Sequence, residues 1–309
     1  MENHENNSRE SGLSKVIARN PEEEKNITAF FKRTMENQTS LPFEREKTES
    51  QTGVIEEILK YLPEFIKQYR GVPVMFSADN VHVIDPEKMS AEEKEKFKYM
   101  LRGAGTYDAN DQKLISQYQP GDEKKNLKFA YSILHEIMHL ESFQSYQQIK
   151  SHAITDRRLG ISMVSYKDGK SYFLDINEAV TEELSKRFAE KYFGKMEVLQ
   201  PELDKKDSWK RHLKPHAKHR GENLRYVEDV EGKSPTFFYH TYKDEREQLN
   251  ELIADLYEKH KGRFESPEKV FDLFARACMT GKVLELARLI EDTYGKGAFR
   301  DLAEKTKQK

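Results

Sequence analysis

Apolar residues recur at helical spacing along Gly53–Tyr69, which predicts an amphipathic helix with Pro63 as a kink or a point of division. Two short apolar runs follow, Val72–Phe76 and Val81–Ile84, on either side of an Ala-Asp-Asn turn, and they read as strands. Gly103–Ser116 has the pattern of two short strands joined by an Asp/Asn-rich turn. An apolar-rich stretch from about Lys125 to Gln148 predicts a long helix. Gly160–Leu174 reads as a hairpin closed by a tight primed turn at Asp168-Gly169, because its flanks alternate and the pair suits a positive φ. It feeds directly into a second, acidic helix near Asn177. Further helical patterns lie at Glu247–Tyr257, Pro267–Thr280 and Lys282–Tyr294, with Gly295 as the final stop. Strands early and helices late predict an α+β chain with a small, mostly antiparallel sheet and a mainly helical C-terminal lobe.

Composition narrows this picture. Residues 1–50 are rich in Glu, Asn, Lys and Ser with scattered apolar positions, which predicts a disordered or loosely helical tail; its Ile27–Phe31 patch could dock on the body or a partner, a transient helix being the plainer reading. One main domain is then expected over 51–309, with a sheet-and-helix lobe over about 51–175 and a helical lobe over about 176–309. The 52 Lys and Arg nearly balance 54 Asp and Glu, so no global charge draws the chain to nucleic acid or an anionic membrane. The single cysteine, Cys278, excludes an internal disulfide and reads as a small buried residue. The first residues lack a basic and apolar leader, and no apolar run is long enough to span a bilayer, so a cytoplasmic protein is expected. The oligomeric state is not legible.

The chemistry concentrates in His135-Glu136-Ile137-Met138-His139, an HExxH pattern within the apolar-rich run Phe129–Leu140. On a helix the two histidines share a face and can converge on one zinc ion, with Glu136 beside them as a base. A catalytic zinc site needs a third protein ligand and an open position. Glu178 and Glu182, four residues apart on the later helix, offer two carboxylates on one face. A natural division places Glu178 on the metal and Glu182 on a ring N–H of a ligand histidine, while Glu183 points about 100° away and is expected in solvent. The plain alternative is a surface helix whose acidic first turn suits its dipole.

On these residues the chain resembles gluzincin-type zinc metallopeptidases, in which HExxH on one helix and a glutamate in an NExxxE/D-like segment on a later helix bind zinc. The matching positions are His135, Glu136, His139, Asn177, Glu178 and Glu182, and the likeness spans roughly residues 72–183. The resemblance implies a zincin-like fold, one Zn2+ on His135, His139 and Glu178, Glu136 as general base, Glu182 behind the ligands and a peptide or protein substrate. It also implies that the strand within 103–116 borders the cleft, where an extended peptide can pair with its edge. The chain departs from the best-known members in lacking a secretory leader, and no motif fixes the donor to the oxyanion. Tyr172, Tyr239, His240 and Tyr242 are the candidates, Tyr172 being as readily a cross-strand aromatic.

Other histidines carry less. His82 reads as a satisfied sheet histidine, and His212, His216 and His219 in the basic Trp209–Arg220 stretch read as a solvated surface loop broken by Pro215. Two rival functions remain: a cytoplasmic regulatory zincin dedicated to one partner protein, and a non-enzymatic interaction protein whose metal site is structural or vestigial.

Overall fold

The computed structural model describes residues 13–41, 43–101, 103–119, 121–122, 125–148, 154–165, 169–213, 223–228 and 234–304. The first half runs β1 (Lys15–Ile17), α1 (Pro21–Glu36), β2 (Glu44–Arg45), α2 (Glu49–Gln68), β3 (Val81–Ile84), α3 (Ala91–Lys96), β4 (Gly105–Asp108), β5 (Lys113–Gln117) and α4 (Asn126–Glu141). The second half runs β6 (Gln144–Gln148), β7 (Ile154–Leu159), β8 (Ser162–Val164), β9 (Ser171–Tyr172), α5 (Leu174–Tyr192), α6 (Gln200–Leu213), β10 (Leu224–Glu228), β11 (Thr236–Tyr239), α7 (Lys243–Lys259), α8 (Pro267–Thr280), α9 (Leu284–Tyr294) and α10 (Ala298–Glu304). The chain is α+β. No helix among the described residues is long and apolar enough to cross a membrane.

Helix α4 is apolar around most of its circumference and is buried along its length, with Leu127, Ala130, Ile133, Leu134, Ile137, Met138 and Leu140 all in the main core. Apart from Asn126 and Lys128 in its first turn and Glu141 at its end, its charged, imidazole-bearing and small hydroxyl-bearing positions, Ser132, His135, Glu136 and His139, fall at intervals of three, one and three, so they form one stripe. Four strands in the order β2-β3-β5-β4 lie beside it. Within this sheet only β3 and β5 are parallel, and among the described residues β4 pairs antiparallel with β5 on one side alone, which leaves it as the edge strand. On the other flank α5 packs against α4, α7 and α8. A second sheet, β1-β6-β7-β8-β9, follows from the chain reversing just after α4.

Several expectations change. The segment 13–41 joins the fold instead of forming a loose tail: β1 pairs parallel with β6, and α1 buries Ile27, Phe31 and Met35, a stripe at fourfold spacing. Asn20 accepts the Glu23 N–H and Pro21 fills the first turn, so the helix has a capped start despite its charged composition. Phe31 packs on Tyr146 at 4.2 Å between centroids, and burial of such a ring is worth about 2–3 kcal/mol. Residues 1–12 lie outside the described part. Pro63 does not divide α2, which runs unbroken from its Thr48–Gln51 capping box. Val72–Phe76 forms no ladder; the Val74 N–H instead binds the buried Glu141 carboxylate at 3.0 Å.

Helix α4 ends at Glu141, not near Gln148. Ser142 Oγ donates to the His139 carbonyl and Phe143 N–H to the Cys278 carbonyl, after which Gln144–Gln148 is held between two strands as β6. The β8–β9 hairpin is closed by Ser165 N–H to the Lys170 carbonyl around four residues, not by a two-residue turn; Gly169 does take the positive φ, while Asp168 lies outside the described residues. Trp209 to Leu213 are the last turn of α6 and not a loop; His216 and His219, and the His212 side chain, lie outside the described residues. His82 is buried with Nδ1 at 3.0 Å from Glu44 and Nε2 at 3.0 Å from Gln38, as a satisfied sheet histidine should be.

Candidate metal centre and active site

Three side chains converge where the polar stripe of α4 meets the first turns of α5. His139 Nε2 lies 3.2 Å from His135 Nε2, His135 Nε2 lies 3.3 Å from Glu178 Oε2, and His139 Nε2 lies 3.4 Å from the same oxygen. A tetrahedral ion with bonds of about 2.0–2.1 Å has ligand–ligand edges of about 3.4 Å, so these atoms outline one face of such a shell. The residues therefore fit zinc, and among the described residues they are the group of His, Cys, Asp and Glu that can hold a metal.

Helix α5 is aimed by its neighbours. Phe173 takes a left-handed φ of 59° and starts the helix, its carbonyl accepting the Asn177 N–H. Asn177 then accepts the Ile161 N–H at 2.9 Å, which clamps the β7–β8 turn to the first turn of α5. Gly160 at that turn has φ 61°, and a Cβ there would meet Asn177 Oδ1 at 2.3 Å, so the clamp requires glycine. Cys278 is sealed beneath it, and burial pushes its thiol up to about 12, which suits a packing residue.

Glu182 sits one turn behind Glu178 with no solvent exposure. Its Oε2 accepts from His135 Nδ1 at 2.9 Å, and its Oε1 accepts from His240 Nδ1 at 2.7 Å and from the Thr241 N–H at 3.2 Å, with Arg225 Nε 3.8 Å away. Burial opposes its charge, but the His135 and His240 hydrogen bonds and Arg225 hold its carboxyl well below the usual range. It fixes the His135 tautomer with Nε2 turned toward His139 and Glu178. Burial would lower the His135 pKa, yet hydrogen bonds to Glu178 and Glu182 outweigh it and raise the imidazole to about 10. Burial likewise opposes the Glu178 charge, and the two histidines more than offset it, so its pKa is lowered. His139 Nδ1 is buried without a hydrogen-bond partner among the described residues.

Glu136 faces the β4 edge. Its carboxyl pKa is raised by burial, against the pull of His135 and His139, and the Tyr107 N–H of β4 donates to it. Gly105 permits this approach: a Cβ there would lie 3.0 Å from Glu136 Cγ and 3.0 Å from Ser132 Oγ.

The donor candidates separate cleanly. Tyr242 stacks on His135 with centroids 5.4 Å apart and planes at 14°, and it remains 38 % exposed on the cleft side. Its φ of 53° is a left-handed conformation that a tyrosine adopts only at a cost of about 1–3 kcal/mol. Burial, the Glu178 carboxylate to which its hydroxyl donates, and Glu136 all raise its pKa, so it stays a neutral donor. His240 is committed to Glu182, and burial pulls its pKa down to about 4. Tyr172 packs on the core opposite Met163, and Tyr239 lies in β11 opposite Leu224; neither makes a hydrogen bond or ring contact with His135, His139 or Glu178 among the described residues.

Glu183 is buried and paired with Arg246 of α7 at 2.6 Å, not in solvent, because α7 covers that side of α5. Arg225, Thr241 and Arg246 escaped sequence reasoning, since no motif marks a residue that supports a ligand from a distant strand or helix. Gly105 did leave a signal: a glycine inside a strand pattern marks close backbone approach. Comparison of the chain with protein-family models, with curated proteins and with solved structures finds no match.

Proposed function

We propose that this chain is a zinc-dependent metallopeptidase with a zincin-like arrangement, acting on a peptide or protein substrate. The observation that carries the reading is the triangle of His135 Nε2, His139 Nε2 and Glu178 Oε2, with Glu136 beside it on the same helix. Zinc held there would lower the pKa of a water molecule and polarise a carbonyl.

The remaining work falls to the chain. An extended substrate segment pairs with the free edge of β4, which brings a scissile carbonyl over the polar stripe of α4. Glu136, whose carboxyl pKa is raised by burial, takes the proton of the attacking water and delivers it to the leaving amine. The Tyr242 hydroxyl donates to the carbonyl oxygen as it gains charge. Glu182, itself locked by His240 and Thr241, keeps the His135 ring from rotating during turnover.

The deciding experiment compares zinc content and peptide hydrolysis in wild type and Glu136→Gln. The variant should hold as much zinc and lose about 10²–10⁴-fold in kcat. Equal turnover in both proteins would remove Glu136 as the base, and absence of turnover in a zinc-loaded wild type offered varied peptides would favour a structural metal site.

A further inference from the structure

A groove of about 1030 Å3 runs between β1, the outward face of α1 and the start of the loop after α8. It is lined by Ser14, Lys15, Val16 and Ile17 in succession. Side chains alternate along a strand, so a cavity touching four consecutive residues runs along the strand's edge. Among the described residues that edge is unpaired: β1 is the outermost strand of its sheet, bonded only to β6. Ladder bonds use alternate residues: Ser145 of β6 serves β7, so Gln144 and Tyr146 serve Lys15 and Ile17 of β1, and the N–H and carbonyl of Val16 face away from β6 into the groove.

The groove's charge is one-sided although the chain as a whole carries a net charge of −2. Lys15, Lys25, Lys32, Arg158 and Lys282 line it against the single acid Glu24. Lys15, Lys25 and Lys282 form no ion pair among the described residues, and Lys32 has only a 3.9 Å pair with the exposed Glu36. Arg158 forms the floor. Its guanidinium lies over the Phe143 ring and donates to the Gly160 and Gly281 carbonyls, with Nε unpartnered and no carboxylate paired to it among the described residues.

We propose that this groove binds an acidic, extended polypeptide segment, which adds to β1 as a further strand while its carboxylates meet the lysines. Backbone pairing supplies the register and the charges choose the partner. The proposal rests on the groove alone and stands whether or not the chain is a hydrolase.

The test uses a short fluorescent peptide alternating Glu and Val, with its Lys/Val counterpart as control, read by anisotropy on the full chain. Wild type should bind the acidic peptide and ignore the basic one. Charge reversal at Lys15, Lys25 and Lys282 together should weaken binding by about tenfold or more. Val16→Pro removes the outward N–H at an edge where proline is tolerated, and should weaken it comparably with all lysines in place. Unchanged circular dichroism would show that both variants are folded. The proposal is overturned if wild type does not bind, if the charge reversal has no effect, if folded Val16→Pro binds as wild type does, or if a single-stranded oligonucleotide displaces the peptide at equal concentration. That last outcome would make the groove a general polyanion surface.

Discussion

At the scale of single residues, Tyr242 and Glu182 show how position decides role between chemically similar neighbours. Tyr239 and Tyr242 stand three residues apart in one aromatic segment, but only Tyr242 is folded onto His135, through a backbone conformation tyrosine avoids. Tyr242→Phe keeps the ring contact and loses only the donor; kcat should drop by about 10²–10³-fold with KM and zinc content little changed. A rise in KM alone would place the hydroxyl in substrate binding. Glu178 and Glu182 share one helix face, and sequence left their exchange open. The geometry separates them, because Glu182 is filled by His135, His240 and Thr241 while Glu178 Oε2 faces both Nε2 atoms. Glu178→Ala should abolish tight zinc binding, and Glu182→Ala should weaken it by roughly 10–100-fold. Titration against a chelator distinguishes them, and the reverse order of severity would exchange the assignments.

At the scale of elements, what could be read in the sequence was what repeats locally. The periodicity of α2, α8 and α9, the β4–β5 hairpin and the HExxH stripe are properties of a few consecutive residues, so they were legible. Elements that depend on distant partners were not. Helix α1 carries only Ile27, Phe31 and Met35 as buried apolar anchors in a charged segment, and its stability comes from Tyr146 more than a hundred residues later. The end of α4 is likewise set by β1, β7 and the Cys278 carbonyl, none of which is near in sequence. Glu183 belongs to the same class, since its partner Arg246 arrives with α7. Both ends of that ion pair are buried, so Arg246→Ala should strand a carboxylate and cost about 3–5 kcal/mol. Thermal unfolding would read this as a lower Tm. The double variant with Glu183→Gln should recover part of the loss, and no recovery would mean that Arg246 acts through packing alone.

At the scale of the whole molecule, the candidate site joins two flanks of the core: the histidines come from α4 beside the four-stranded sheet, and the carboxylates come from α5 in the helical lobe. Without metal, the proton on His135 is the cation that holds these groups together, and the surrounding carboxylates keep it bound up to about 10. Zinc and that proton compete for Nε2, so zinc uptake near neutral pH should release a proton, and zinc affinity should rise with pH through this range. The stability consequence has a definite sign. The raised His135 pKa gives the metal-free fold a contribution that is full below 6.5 and is lost as pH rises toward about 10. With zinc bound, His135 carries no proton to lose in that window, so the gap in stability between the two forms should widen by up to about 1.4 kcal/mol per pH unit. Thermal unfolding with and without a chelator from about pH 7 to 9 measures the gap, and calorimetry in buffers of different ionisation enthalpy counts the proton. A gap that stays constant with pH, and zinc binding that releases no proton, would mean that His135 is already neutral in the metal-free protein. The zinc-holding role of Glu178 would survive that result, but the carboxylate pair could no longer be credited with poising the site through His135.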